Sequence, residues 1–176
     1  GEATRYLIEE LKGKTVGFGG SMTVKEMGLF EQLGQASHVF WHWNPRNSAP
    51  NTLGGAAAAE VYISSANGIA ETGEIINIDG TGNRVAATIY GHKKVIFVIG
   101  KNKITPTVET AIDRARNVAA PLNARRLARK TPCSSEADQC FDCESVERIC
   151  SVLSLFYKKP GGSEYEIILI NEDLGF

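Results

Sequence analysis

The sequence has no excess of either charge. Its 19 Lys and Arg residues stand against 20 Asp and Glu, a net charge of −1. Composition therefore gives no electrostatic reason to expect nucleic acid or an anionic membrane as partner. No apolar run approaches the ~20 residues that span a bilayer. The first residues, GEATRY, carry no apolar signal segment, so the expected location is the cytoplasm. Internal repeats and low-complexity tracts are missing. So are a Ser/His/Asp triad, a paired His-Glu zinc motif and a kinase-type set. Cysteine is missing from the 158 positions outside residues 133–150, and all four lie within that stretch at Cys133, Cys140, Cys143 and Cys150. What is present is ordinary for a globular domain: 43% hydrophobic and 22% charged residues, which excludes a disordered chain, a collagen or a coiled coil. A chain of 176 residues fits one domain over residues 1–176.

Hydrophobic periodicity predicts alternating helices and strands. Residues 4–12 read as a short helix and 15–18 as a strand. A Gly-rich turn, GGSMT, then leads into a helix over residues 24–33, where Thr23 and Glu26 have capping-box spacing. Residues 37–43 read as a second strand and 44–56 as a loop by composition. Further strands are expected at 61–65, 75–79 and 94–99, with 66–74 as a turn-rich link. The run KVIFVI at 94–99 is the clearest, with five consecutive apolar residues of the β-branched and aromatic kind. A helix is expected from Pro106 to about residue 119, then an exposed cysteine-containing excursion over 131–150. Residues 151–157 and 165–170 read as closing strands that pair as a hairpin at one edge. The fold class is α/β: a mostly parallel, twisted sheet covered on both faces, a three-layer sandwich.

Ligands on such sheets bind beyond the carboxyl ends of the strands. Three polar turns, 19–23, 79–84 and 100–103, are expected to meet there. Gly19, Gly20, Ser21, Met22 and Thr23 precede a helix, where backbone N–H groups favour a phosphate or carboxylate; the competing reading is a capped strand–helix turn. Asp79, Gly82, Asn83 and Arg84 place a carboxylate, an amide and a guanidinium at one loop–helix junction. Arg84 suits an anion, unless it only pairs with a capping Asp79. Glu71, Thr72 and Gly73 put a second carboxylate in a turn, a candidate base or nucleophile if a ligand dries it. Lys103 adds positive charge. His38, His42 and His92 suggest no metal set and are expected to be structural.

The cysteines are spaced C-x6-C-x2-C-x6-C. Four thiolates at Cys133, Cys140, Cys143 and Cys150 can close around a [4Fe-4S] cluster or one tetrahedral zinc. The outer spacings match neither a zinc ribbon nor common ferredoxin runs. Iron–sulfur, zinc and plain or redox-labile thiols stay open.

Long stretches of the sequence resemble the LUD-domain family of lactate-utilisation proteins. They include VYISSANGIAETGEIINIDGTGNRVAATIYGHKKVIFVIGKNKI at 61–104, VGFGGSMTVKEMGL at 16–29, AIDRARNVAAPLNARRL, the cysteine segment and the closing NEDLGF. Only about residues 36–60 depart from the pattern, where the family has a longer charged connection. The resemblance implies a NagB/RpiA/CoA-transferase-like fold and a bacterial, cytoplasmic protein linked to oxidation of lactate or a related organic acid, beside iron–sulfur subunits. It places the family's positions at Gly19, Gly20, Ser21, Met22, Thr23, Asn67, Glu71, Thr72, Gly73, Asp79, Gly82, Asn83, Arg84 and Lys103. The leading expectation is a redox accessory that binds a small organic anion and an iron–sulfur cluster, and that can form a homodimer. The alternatives are a CoA-transferase- or sugar-phosphate-isomerase-like enzyme using Glu71, and a non-catalytic zinc or thiol module that docks a partner subunit.

Overall fold

The elements of the computed structural model, which describes residues 1–43 and 52–176, follow the α/β alternation expected from the hydrophobic pattern. In chain order they are α1 (Glu2–Glu10), β1 (Thr15–Phe18), α2 (Met22–Glu26), α3 (Leu29–Leu33), β2 (His38–Phe40), α4 (Thr52–Ala58), β3 (Val61–Ser64), β4 (Gly68–Ala70) and β5 (Ile75–Asp79). There follow α5 (Asn83–Ile89), β6 (Lys94–Gly100), β7 (Ile104–Thr105), α6 (Val108–Arg114), α7 (Ala120–Arg126), α8 (Pro132–Glu136), β8 (Val152–Phe156) and β9 (Glu164–Ile170). They form two compact units. One comprises Gly1–Ser65, Ala86–Lys101 and Lys159–Gly175; the other comprises Ala66–Val85, Asn102–Lys158 and Phe176.

The first unit holds a five-stranded sheet in the order β2-β1-β3-β6-β9, every pair parallel. Parallel strands must be covered on both faces, so they read as continuous apolar runs; β6 is buried from Val95 to Gly100. One face carries Val16, Phe18, Val61, Ile63, Ile96 and Val98. These pack with Leu7 of α1 and Leu11 just after it, Val24 of α2, and Leu29, Phe30 and Leu33 of α3. On the other face, the α4 backbone at Ala56 lies against Gly17. There too Tyr165 donates its hydroxyl proton to the carbonyl of Thr88 in α5. Helix, sheet and helix make three layers within this unit.

At the amino end of β6, Lys94 sits 3.0 Å from Glu10 and 2.7 Å from Glu166. Burial works against the charge, yet hydrogen bonds and charge from both carboxylates hold the ammonium well above its ordinary value. The Lys94 hydrogen bond in turn holds the Glu10 carboxyl below its ordinary value of 4.5. A carboxyl depressed in the folded state stabilises above its unfolded value, and that contribution drains as pH falls through the folded one. Urea midpoints of wild type should therefore fall more between pH 7 and pH 3 than those of Lys94→Met. Parallel losses in the two proteins would contradict this linkage.

The second unit holds a mixed four-stranded sheet in the order β7-β4-β5-β8. β4 pairs antiparallel with β5 and parallel with β7, and β5 pairs antiparallel with β8 from Ile75↔Phe156 to Asp79↔Val152. Ala111 and Ala115 pack on Ile76 and Ile78, joined by Ile112, Leu155 and Cys150. α6 is capped by Thr107 in a reciprocal box with Thr110. A π-helical turn over Ala115–Ala119 joins it to α7. Pro121 lies in the first turn of α7, where its missing N–H is tolerated beside the widened turn.

Several expectations are corrected. Residues 66–74 contain β4, too short to stand out by periodicity. The helix expected over 24–33 is broken between α2 and α3, where Gly28 takes φ +59°. Ser21, not Thr23, caps α2: its Oγ accepts from the Val24 N–H at 3.2 Å. α6 begins after Thr107, so Pro106 lies outside it. The closing strands form no hairpin, because β8 joins β5 and β9 joins β6 in separate sheets. β5 accordingly lies outside the parallel sheet, and the three polar turns do not all follow strands of one sheet. Of the loop expected over 44–56, residues 44–51 lie outside the described residues, and 52–56 belong to α4. No described helix is long and apolar enough to cross a membrane.

Candidate functional site

In the first unit, the turn after β1 is occupied by internal contacts. Trp41 donates its indole N–H to the Gly19 carbonyl at 3.1 Å. A Cβ on Gly20 would stand 2.7 Å from the Trp43 ring, so glycine there admits the indole. Ser21 and Thr23 are buried. Thr23 accepts from Ser65 at 3.3 Å and donates to the Leu174 carbonyl at 3.0 Å. Met22 opens the five-residue α2. These residues cap, pack and tether. His92 is likewise structural, with Nδ1 2.7 Å from the Ala59 carbonyl and its ring stacked on Tyr62.

The second unit gathers more of the expected residues around Asn67. Its Oδ1 accepts from the Ile78 N–H at 2.8 Å and from Arg84 Nη2 at 3.2 Å. Arg84 also donates to Asn77 Oδ1 and the Ile78 carbonyl, with Nε 3.6 Å from Asp79 Oδ2. Asp79 Oδ1 accepts from the N–H groups of Thr81 and Gly82, and Oδ2 from that of Val85. Asp79 therefore closes the loop into α5, and Arg84 braces it. Gly82 takes φ +92°, a turn conformation that a side chain would strain. Asn83 opens α5 and is exposed.

Sequence reasoning missed a residue of this group, Arg114. Its Nε donates to the Asn102 carbonyl at 2.9 Å and its Nη1 to the Asn67 carbonyl at 2.5 Å. Burial lowers its pKa, and no carboxylate contributes to that shift. Lys103, only 3% exposed, follows Asn102 directly. It also precedes Ile104, the β7 residue in register with Ile69. Glu71, Thr72 and Gly73 lie at the other end of β4, about 13 Å along the strand from Asn67 at ~3.3 Å per residue. All three are exposed, and Thr72 hydrogen-bonds to Glu74.

The thiols are divided. Cys133 lies in α8 with Sγ 3.3 Å from Thr131 Oγ1. Cys140 and Cys150 line a cavity of about 290 Å³ with Ile78, Arg116, Asp142, Arg148, Ser151 and Leu153. Burial pushes the Cys150 thiol up against the pull of Arg148, and nearby Cys140 and Cys143 add to the rise. Among the described residues, no three His, Cys, Asp or Glu side chains are gathered to hold a metal ion.

The LUD domain family model matches residues 1–170. Among solved structures, the chain is similar to the crystal structure of a DUF162 family protein from Deinococcus radiodurans, at 10% identity over 96% of each chain, with a TM-score of 0.40. No curated protein matches it. A family match over nearly the whole length, together with the α/β fold built here from its residues, establishes that this chain belongs to the LUD domain family.

Proposed function

We propose that this LUD-domain protein binds a small organic carboxylate of the lactate class and serves organic-acid utilisation, with Arg114 as the group that grips the carboxylate. One observation carries the reading. The Arg114 guanidinium is half-buried, and its Nε and Nη1 are held by the carbonyls of Asn102 and Asn67. None of the ion pairs among the described residues supplies it with a carboxylate. Taking a guanidinium out of water without a counter-charge is costly. An incoming carboxylate supplies that charge by accepting charge-assisted hydrogen bonds from Nη2. Arg84 holds Asn67 in place and acts as a positioning residue. In this reading the protein is a cytoplasmic accessory that works beside iron–sulfur subunits.

Calorimetric titration of the full chain with lactate, pyruvate and neutral lactamide tests it. The carboxylates should bind and the amide should not. Arg114→Lys keeps the charge but loses the planar fork, and should weaken binding by about tenfold, roughly 1.4 kcal/mol. Equal binding of acid and amide, or unchanged affinity in a folded Arg114→Lys protein, would overturn the proposal. The Glu71 enzyme reading gains nothing from the placement of that residue, which is exposed and stands away from Asn67 along β4.

A further inference from the structure

We propose that Cys140 and Cys150 form a thiol–disulfide exchange pair, acting on a small disulfide that carries carboxylates and is held by Arg116 and Arg148. Both sulfur-bearing residues and both arginines line the same cavity of about 290 Å³. That volume lies near the lower end of the range for small-molecule sites and admits one half of a small disulfide rather than a protein loop. Around it stand two guanidinium groups and one carboxylate, Asp142, which is 3.4 Å from Arg116 and 3.4 Å from Arg148. The lining therefore keeps a positive surplus. Arg148 is further fixed by donating to the carbonyls of Cys143 at 2.7 Å and Cys150 at 3.3 Å.

The two thiols sit in different surroundings, which assigns their order. Cys140 Sγ accepts hydrogen bonds from the Asp142 N–H at 3.3 Å and from Arg116 Nη2 at 3.9 Å. Its own N–H is held by Asn117 Oδ1 at 2.8 Å. Cys150 packs against the apolar cluster of Ile76 and Ile78. Cys140 is thus the attacking sulfur and Cys150 the resolving one.

In the first step the Cys140 thiolate attacks one sulfur of the small disulfide. The external S–S bond breaks, a Cys140 mixed disulfide forms and one small thiolate leaves. In the second step Cys150 gives its proton to solvent and attacks the Cys140 sulfur. The mixed disulfide breaks, the Cys140–Cys150 bond forms and the second small thiolate leaves. The leaving thiolates take protons from water. Two protein thiols are oxidised, and one external disulfide is reduced by two electrons.

The test exposes the reduced full chain, prepared without oxygen, to oxidised glutathione and separately to neutral hydroxyethyl disulfide, with intact mass and peptide mapping as readout. Wild type should end with a Cys140–Cys150 bridge and no lasting adduct. Cys150→Ala should trap glutathione on Cys140. Arg148→Gln, which leaves the Arg116 hydrogen bond to Cys140 Sγ in place, should slow the first step with oxidised glutathione about tenfold more than the first step with the neutral disulfide. Similar labelling of all four cysteines would overturn the proposal, as would a bridge that includes Cys133 or no reaction in wild type. Equal slowing with both reagents would reject the role of Arg148 in holding the carboxylates. Protein that carries iron or zinc, with thiols silent until the metal is chelated, would replace the exchange pair with a metal site.

Discussion

Replacing Gly17 with alanine is expected to remove about 3 kcal/mol of stability, at the upper end of what overpacking usually costs. β1 contributes Val16 and Phe18 to one face of the parallel sheet, and Gly17 faces the other way, toward α4. A Cβ there would stand 2.9 Å from the Ala56 Cα and 3.0 Å from its carbonyl carbon, with the carbonyl oxygen closer still. These are backbone atoms of a helix, so no side chain can rotate aside. Either α4 lifts or the strand bends. Urea unfolding of Gly17→Ala measures the loss, and hydrogen exchange in α4 locates it. A midpoint unchanged from wild type would show that α4 is not seated as closely as this geometry requires.

Phe97→Ala should cost still more, about 3–5 kcal/mol, a large share of the ~5–15 kcal/mol that holds a typical domain together. Phe97 is fully buried at the centre of β6. It is flanked in register by Ser64 and Ile167, and its ring stacks with that of Tyr165 at a centroid distance of 6.4 Å. Truncation removes the ring's transfer energy and leaves a cavity on the face of the sheet beside Tyr165. At ~2–4 °C per kcal/mol for a chain of this size, the melting temperature should fall by roughly 10 °C. Phe97→Leu, which keeps most of the volume, should cost only about 1 kcal/mol. Similar losses for the two variants would show that the site collapses around the smaller side chain.

Parts of this fold were legible because the forces that shape them are local. The KVIFVI run announces a strand buried on both faces, and β6 is that strand. TVGF and IINID are strands within a residue of where their pattern places them. The break after α2 was not legible, since an apolar stripe continues across it and only Gly28 marks the change. β4 was hidden by its three residues, too few to display a period. The helix expected to about residue 119 takes in α6 and the π-helical turn but stops short of α7, because that turn, which carries the chain past Pro121, leaves no mark in composition.

The candidate site divides in the same way. A loop with Asp79, two glycines and Arg84 is conspicuous in sequence, and the competing reading of Arg84 as the partner of a capping Asp79 is what the hydrogen bonds describe. Arg114 sits in an amphipathic helix where an arginine draws no notice. Its importance comes from the two main-chain carbonyls that hold it, contributed by residues 12 and 47 positions away. The cysteine spacing suggested one four-thiol centre, but spacing along a chain does not say which sulfurs face one cavity. Arg116 enters that cavity from outside the cysteine segment, and Arg148 from a position between Cys143 and Cys150 that the spacing leaves unspecified.

The sequence by itself determined the alternation of helix and strand, the burial of the sheet and the family, because periodicity and long motifs are properties of neighbouring residues. Only the tertiary structure decided that β8 and β9 part into different sheets, that Arg84 is committed to Asn67, Asn77 and Asp79, and that Arg114 is left facing no acid. Strand partners and charge partners are chosen by contacts between residues far apart in the chain. The free energy of such a contact depends on what else is buried beside it, and that is settled only once the chain has folded.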